Sequence, residues 1–200
     1  MKTILLASAC ALTLAACSST PATRADTDTT ADTTADATAT VDAELATTST
    51  LSAASVNLAS ASGSLVSGKL SLMPMDDGVH LTGEIGGLKP NSSHGIHIHE
   101  KGDCSAADAS SAGGHFNPSS EAHGKVDQSV HHGGDMNNIS ANAEGIATVD
   151  VHASGVVLGG GVANDAVGKA VIVHADPDDY TSQPSGNAGA RVACGVIAAG

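Results

Sequence analysis

The chain has 200 residues with 21 acidic and 8 basic side chains, a formal net charge of −13, 23 glycines and 10 histidines. That length suits one domain comfortably, and that charge argues against a nucleic-acid binder, which needs a basic face to displace counterions from phosphates. Phe116 and Tyr180 are the only aromatics of the Phe, Tyr and Trp kind, too few for a stacking platform, whereas histidines outnumber lysine and arginine together and point first to metal.

The amino terminus reads as an address. Lys2 is followed by an apolar run from Ile4 to Ala16, shorter than the roughly 20 residues that span a bilayer as a helix, so residues 1–16 are expected to be an export signal. The segment Leu14-Ala15-Ala16-Cys17 resembles the lipobox of bacterial lipoproteins, which implies that Cys17 is lipidated and becomes the first residue. Ser18 and Ser19 follow without an acidic neighbour, which by the same resemblance implies retention in the outer membrane. With Cys10 inside the signal and Cys17 carrying lipid, Cys104 and Cys194 remain, and in an oxidising compartment this pair is expected to form a disulfide.

Residues 17–55 are Thr, Ala, Asp and Ser with almost no large apolar side chain. Such a stretch buries too little surface to offset its ordering entropy, and it is expected to be a disordered tether above a membrane. Six of the acids fall in it, Asp26, Asp28, Asp32, Asp36, Asp42 and Glu44.

Residues 56–200 read as an all-β domain. Leu65–Met73 alternates, the segment from Pro74 to Gly78 turns, and Val79–Ile85 resumes the alternation. Gly95–Glu100, Ile146–Val151, Val167–His174 and Arg191–Ile197 are further alternating runs, and no window keeps a period of 3.6 residues. Short strands between glycine-rich turns argue for an antiparallel sandwich or barrel. Two long polar stretches, 101–141 and 175–190, interrupt the strands and are expected to be functional loops.

The histidines concentrate in and around those loops. His97 and His99 lie two apart on a strand, so both rings project from one face. His115, His123 and His132 follow in the first loop, with Asp135 three residues after the last, and His174 closes a separate apolar strand. Six imidazoles and a carboxylate suit borderline metals such as zinc and copper.

Gly95-Ile96-His97-Ile98-His99-Glu100, Gly114-His115-Phe116-Asn117-Pro118, His132-Gly133-Gly134-Asp135, Val173-His174 and Gly189-Ala190-Arg191-Val192-Ala193-Cys194-Gly195-Val196 together resemble the exported bacterial branch of the Cu/Zn superoxide dismutases. The resemblance runs from about Val56 to Ala198 and includes the spacings between motifs. It implies a Greek-key β-barrel with copper on His97, His99, His115 and His174, and zinc on His115, His123, His132 and Asp135, the His115 ring bridging the two. It further implies that Asp178 orients a copper histidine and a zinc histidine, that Arg191 receives the superoxide anion, and that Cys104 and Cys194 pin the long loop to the last strand. The activity implied is dismutation of superoxide to dioxygen and hydrogen peroxide, with His115 taking and returning a proton. Oligomeric state stays open between monomer and homodimer, and the expected location is the bacterial cell envelope, lipid-anchored.

Some residues lie outside that pattern. His131 is adjacent to His132, which is preferred as zinc ligand because it sets Asp135 at +3 and His123 at −9. His80 reads as a surface or edge residue, and His94 and His152 have no evident partner. Asn137 stands where many relatives have Gly or Pro, and Thr181 where bacterial relatives often carry lysine, a change that Lys125 or Lys169 could compensate. The alternative function is a non-catalytic copper- and zinc-binding envelope lipoprotein, which would carry redundant ligands rather than one complete set.

Overall fold

A computed structural model describes residues 45–200 apart from Ser129. The export segment, Cys17 and the tether as far as residue 44 lie outside the described residues. The strands are β1 (Ala54–Ser60), β2 (Ser67–Met75), β3 (Gly78–Gly86), β4 (Ser93–His94), β5 (Ile96–His99), β6 (Ile139–Ser140), β7 (Ala147–Ser154), β8 (Ala170–His174) and β9 (Arg191–Ala199), with one turn of 3-10 helix at Ser110–Ala112.

Seven strands form one antiparallel curled sheet in the order β5-β8-β9-β1-β2-β3-β7, and β4 and β6 form a short ladder of their own. From β3 the chain crosses to β5 at the opposite edge, returns to β7 beside β3, and crosses again to β8 beside β5. These crossings over the sheet ends are the long connections of a Greek-key arrangement.

Alternation explains which face is core. Val56 and Leu58 of β1, Leu70 and Leu72 of β2, Val79, Leu81 and Ile85 of β3, and Val149 and Val151 of β7 all point into one aliphatic cluster. Burying side chains of this size stabilises by roughly 1.5–3 kcal/mol each. Strands β5 and β8 are buried on both faces. Ile96 and Ile98 enter the main core from β5, so period two sends His97 and His99 to its other face, beneath the first long loop.

Two expectations need correction. The turn expected from Pro74 to Gly78 is only Asp76-Asp77, because β2 runs on through Pro74 and Met75, which pair with Val79 and Gly78. Proline is tolerated there because β1 pairs with β2 only as far as Leu72, leaving β2 with an open edge beyond it. The tether expected to reach residue 55 ends earlier. Thr50 and Leu51 N–H both donate to Leu158 O, Leu158 N–H donates to Ser49 Oγ at 2.9 Å, and Asn164 bonds both the N–H and the carbonyl of Ala46. This strap is held by polar and backbone hydrogen bonds, which an argument from apolar content does not detect.

Candidate metal centre

Each side chain of the site arrives on a rigid support. His97 and His99 come from β5, His174 from the end of β8, and His115 is anchored by a bridge of its backbone to His99. His123, His132 and Asp135 come from the long loop, which is tied to β5 where Ile98 N–H donates to Gly134 O and Phe116 N–H to Ile98 O, both at 2.8 Å. The loop is further fastened by the Cys104–Cys194 disulfide, whose Cα atoms are 5.8 Å apart.

The imidazoles and Asp135 form two buried clusters that share His115. In each, one ligand atom per residue lies within 4.8 Å of all the others: His97, His99, His115 and His174 in the first, His115, His123, His132 and Asp135 in the second. In the first, His97 Nδ1 and the Nε2 atoms of His99, His115 and His174 are buried without a hydrogen-bond partner. An unpaired buried polar atom costs roughly 1–3 kcal/mol, so four around one point mark a place that a cation would stabilise. In the second, Asp135 Oδ1 lies 2.8 Å from His115 Nδ1, 3.0 Å from His123 Nδ1 and 3.3 Å from His132 Nδ1. Asp135 Oδ2 accepts the backbone N–H of Gly124 at 3.1 Å and of His132 at 2.8 Å. A three-nitrogen, one-oxygen set is a zinc donor set, and a four-imidazole set suits copper.

The outer contacts fix each ring. His99 Nδ1 is 2.9 Å from Gly113 O and His174 Nδ1 is 3.3 Å from Gly189 O. Asp178 spans the clusters, its Oδ2 at 2.8 Å from His97 Nε2 and its Oδ1 at 3.0 Å from His123 Nε2. Such contacts orient ligating rings and set which nitrogen faces the metal.

The frame around Asp178 is built from residues outside the sequence motifs. Asn138 Oδ1 accepts the Asp178 N–H and Asn138 Nδ2 donates to Asp178 O, both at 2.8 Å. Gln183 bonds both the N–H and the carbonyl of His123. Gly186, at φ +67°, passes so close that a Cβ would collide with the Asp178 carboxylate and come within 2.7 Å of His123 Nε2. None of these residues belongs to a ligand motif, and their only signal is position next to the loop acids.

Of the unassigned histidines, His131 turns its Nδ1 to the carbonyl of His132 at 2.8 Å and stays out of the clusters. His94 is buried and does have partners, His174 O at 2.8 Å and Ser92 Oγ at 2.6 Å, so it braces the end of β8. His80 and His152 lie on β3 and β7, away from the centre.

A cleft of about 530 Å³ opens over the shared histidine, lined by His99, His115, His132, His174, Pro184 and Arg191 among others. Arg191 is the only lining residue with a permanent positive charge. Its Nη1 and Nη2 donate to Ala109 O and Gly113 O, both at 2.7 Å, which fixes the guanidinium. Lys125 instead pairs with Asp127 at 3.2 Å, and Lys169 lies over the Phe116 ring, so neither replaces a lysine at Thr181 in the cleft lining.

Burial, with help from neighbouring imidazoles, holds His99 at about 2 and His174 at about 3. His115 falls to about 4, its burial outweighing the hydrogen bond it donates to Asp135. These three rings are therefore neutral at pH 7, the form that ligates metal. Burial also opposes charge on His123, but its contacts with Asp135 and Asp178 prevail and raise it to about 9. For the metal-stripped protein the signs follow from proton counting. Below pH 6.5 the unfolded chain binds protons that the folded His99, His115 and His174 refuse, so stability falls with acid. Between about pH 7 and about 9 the folded His123 holds a proton the unfolded chain releases, so stability falls with base. Thermal melting of the stripped protein across pH is expected to peak near pH 7, where four unfolded histidines together hold about the one proton that folded His123 keeps, and a monotonic rise toward pH 9 would contradict this assignment.

Comparison with known proteins meets the same site. Residues 66–197 match the family model described as copper/zinc superoxide dismutase. The chain is 42% identical over 135 residues to superoxide dismutase [Cu-Zn] 2 of Aquifex aeolicus, covering 66% of this chain and 79% of that protein. It is likewise 42% identical over 135 residues to superoxide dismutase [Cu-Zn] of Caulobacter vibrioides, covering 65% of this chain and 77% of that protein. Among solved structures, a double mutant of a SOD-like protein from Bacillus subtilis superposes with a TM-score of 0.65 at 38% identity, over 73% of this chain and 97% of that one. The clock protein EA4 superposes with a TM-score of 0.67 at 35% identity, over 76% and 96%.

Proposed function

The chain belongs to the copper/zinc superoxide dismutase family, and we infer from that membership and the paired clusters that it converts two superoxide anions and two protons into dioxygen and hydrogen peroxide. The observation that carries this reading is the two-sided placement of His115. Its Nδ1 lies among Asp135 and the second cluster, while its Nε2 is buried and unpartnered in the first.

His97, His99, His115 and His174 would hold copper, which would supply one-electron redox chemistry toward superoxide, and His115, His123, His132 and Asp135 would hold zinc, which is redox-inert. His115 can carry a proton on Nε2 while Nδ1 stays engaged, so a proton needed by the peroxide product is stored beside the reacting centre. Asp135 keeps that ring in register through its Oδ1, and Asp178 does the same for His97 and His123. Arg191 supplies fixed positive charge where an anion must bind, in a chain whose overall charge repels it. A storage protein would gain from redundant ligands, whereas His131, the one nearby spare, points away.

The deciding measurement is dismutation by protein carrying one copper and one zinc per chain. Fast turnover is expected, and full occupancy without activity would sink the enzyme reading. Arg191→Gln should lower turnover and flatten its dependence on ionic strength while copper stays bound. Unchanged kinetics would remove Arg191 from anion capture.

The reading extends to location. An export signal over 1–16, lipidation of Cys17 and anchorage in the bacterial cell envelope are supported by the lipobox-like segment and by the Cys104–Cys194 disulfide, a bond that persists in oxidising compartments. A Cys17→Ser protein is expected to leave the membrane fraction for the soluble one, and continued partitioning with membranes would refute lipidation as the attachment.

A further inference from the structure

Among the described residues, the backbone N–H and carbonyl of buried His123 have one hydrogen-bond partner each, and both partners belong to the Gln183 side chain. Gln183 Oε1 accepts the N–H at 2.9 Å and Gln183 Nε2 donates to the carbonyl at 2.8 Å, across 60 positions of the chain. A glutamine amide offers an acceptor and two donors, so this one side chain takes the place that a neighbouring strand would fill. The two residues after it, Pro184 and Ser185, line the cleft over His115 and Arg191. We propose that Gln183 is a positioning residue that transmits the state of the second cluster to the wall of the anion cleft, so that zinc bound there firms the place where a small anion lands.

Connectivity singles out this side chain. The base of the second loop is closed by its own backbone, Asp179 N–H donating to Gly186 O at 2.9 Å and Gly186 N–H to Ser182 O at 2.7 Å. The Asp179 carboxylate gathers the N–H groups of Thr181 and Ser182 at 2.9 and 2.7 Å. That base is fixed to the first loop by Asn138, which holds the backbone of Asp178 and donates its own N–H to the Tyr180 hydroxyl at 2.9 Å. The tip, residues 181–185, is different. Among the described residues, its hydrogen bonds to the rest of the molecule outside this loop are the two from Gln183 to His123.

The direction of influence follows from burial. Leaving either backbone group of His123 unpaired is costly, so the two bonds to Gln183 hold wherever the His123 backbone is settled. The ring of His123 already lies 3.0 Å from both Asp135 Oδ1 and Asp178 Oδ1, and an ion in the second cluster would restrain it further. Order in the ring settles the backbone, and the amide passes that order to Pro184 and Ser185. A wall that is already ordered spares an incoming anion the entropy cost of ordering it.

The link rests on the second cluster being the zinc site, and its test uses the full-length protein. Zinc added to saturation to the metal-stripped parent should slow amide exchange of the Thr181, Ser182 and Gly186 N–H groups by roughly tenfold or more. Q183L, which keeps the bulk of the side chain without its polar end, should lose most of that slowing at saturating zinc. Q183E, which keeps an acceptor for the His123 N–H, should fall between. With copper and zinc both loaded, Q183L should bind azide, a small anion that ligates copper, about threefold or more weakly. Its copper paramagnetic-resonance signal before azide should stay that of the parent. Equal slowing in Q183L and the parent overturns the proposal and puts the link at Asp178. So does parental azide affinity in Q183L, which would show that the tip does not shape the cleft. Failure of zinc to bind the parent, read by metal analysis, would overturn the zinc reading itself, whereas bound zinc without slowing overturns this link alone. Q183E provides the reading if Q183L fails to fold.

Discussion

Asp135→Ala is expected to weaken zinc binding by more than about 100-fold and to lower the stability of the metal-stripped domain by about 2–6 kcal/mol. The first figure follows because changing a residue that merely orients a ligand already costs about 10–100-fold, and Asp135 stands among the ligand atoms themselves. The second follows from Oδ2, which accepts the buried N–H groups of Gly124 and His132. Removing the carboxylate leaves both donors unpaired, at roughly 1–3 kcal/mol each. Asp135→Asn keeps one acceptor and should fall between. Zinc titration and thermal melting read the two effects separately, and parental zinc affinity in Asp135→Ala would remove Asp135 from the ligand set.

Removing the disulfide, as Cys104→Ala with Cys194→Ala, is expected to cost about 4–5 kcal/mol by the loop-entropy argument, for a closed loop with a sequence separation of 90 residues. The loss should also reach the anion site. Cys194 packs in a small cluster with Ala61, Ala109, Ala112, Ala170 and Ile172, in which the loop itself contributes only the methyl groups of Ala109 and Ala112, little apolar area to hold it without the bond. Ala109 lends its carbonyl to Arg191, and Gly113, the neighbour of Ala112, lends the second. The double variant should therefore lose both melting temperature and the salt dependence of kcat/KM. A variant that melts lower yet keeps the parental salt dependence would show that Arg191 is held without the bond.

Much of the centre was legible because its chemistry is local in sequence. His97 and His99 are two apart on a strand, so one face is their only common option once Ile96 and Ile98 claim the core. His132 and Asp135 are three apart in one loop, and the structure brings both into the second cluster with His115 and His123. What stayed illegible depends on partners distant along the chain. Asn138 and Gln183 act through residues 40 and 60 positions away, and neither carries a distinctive spacing. The strap at residues 46–51 is fixed by Leu158 and Asn164, so its composition gave no sign of order. His80 and His152 looked unrelated because only the β3–β7 register sets them opposite each other. The extension of β2 through Pro74 likewise depended on where β1 stops pairing.

Asp178 has a wider consequence for how the molecule fills. One carboxylate grips a ring from each cluster, so whatever orders His97 also steadies His123, and the reverse holds with equal strength. Coupling between two binding equilibria is reciprocal, so whatever factor an ion in one cluster works on the other cluster's affinity through this carboxylate is returned in equal measure.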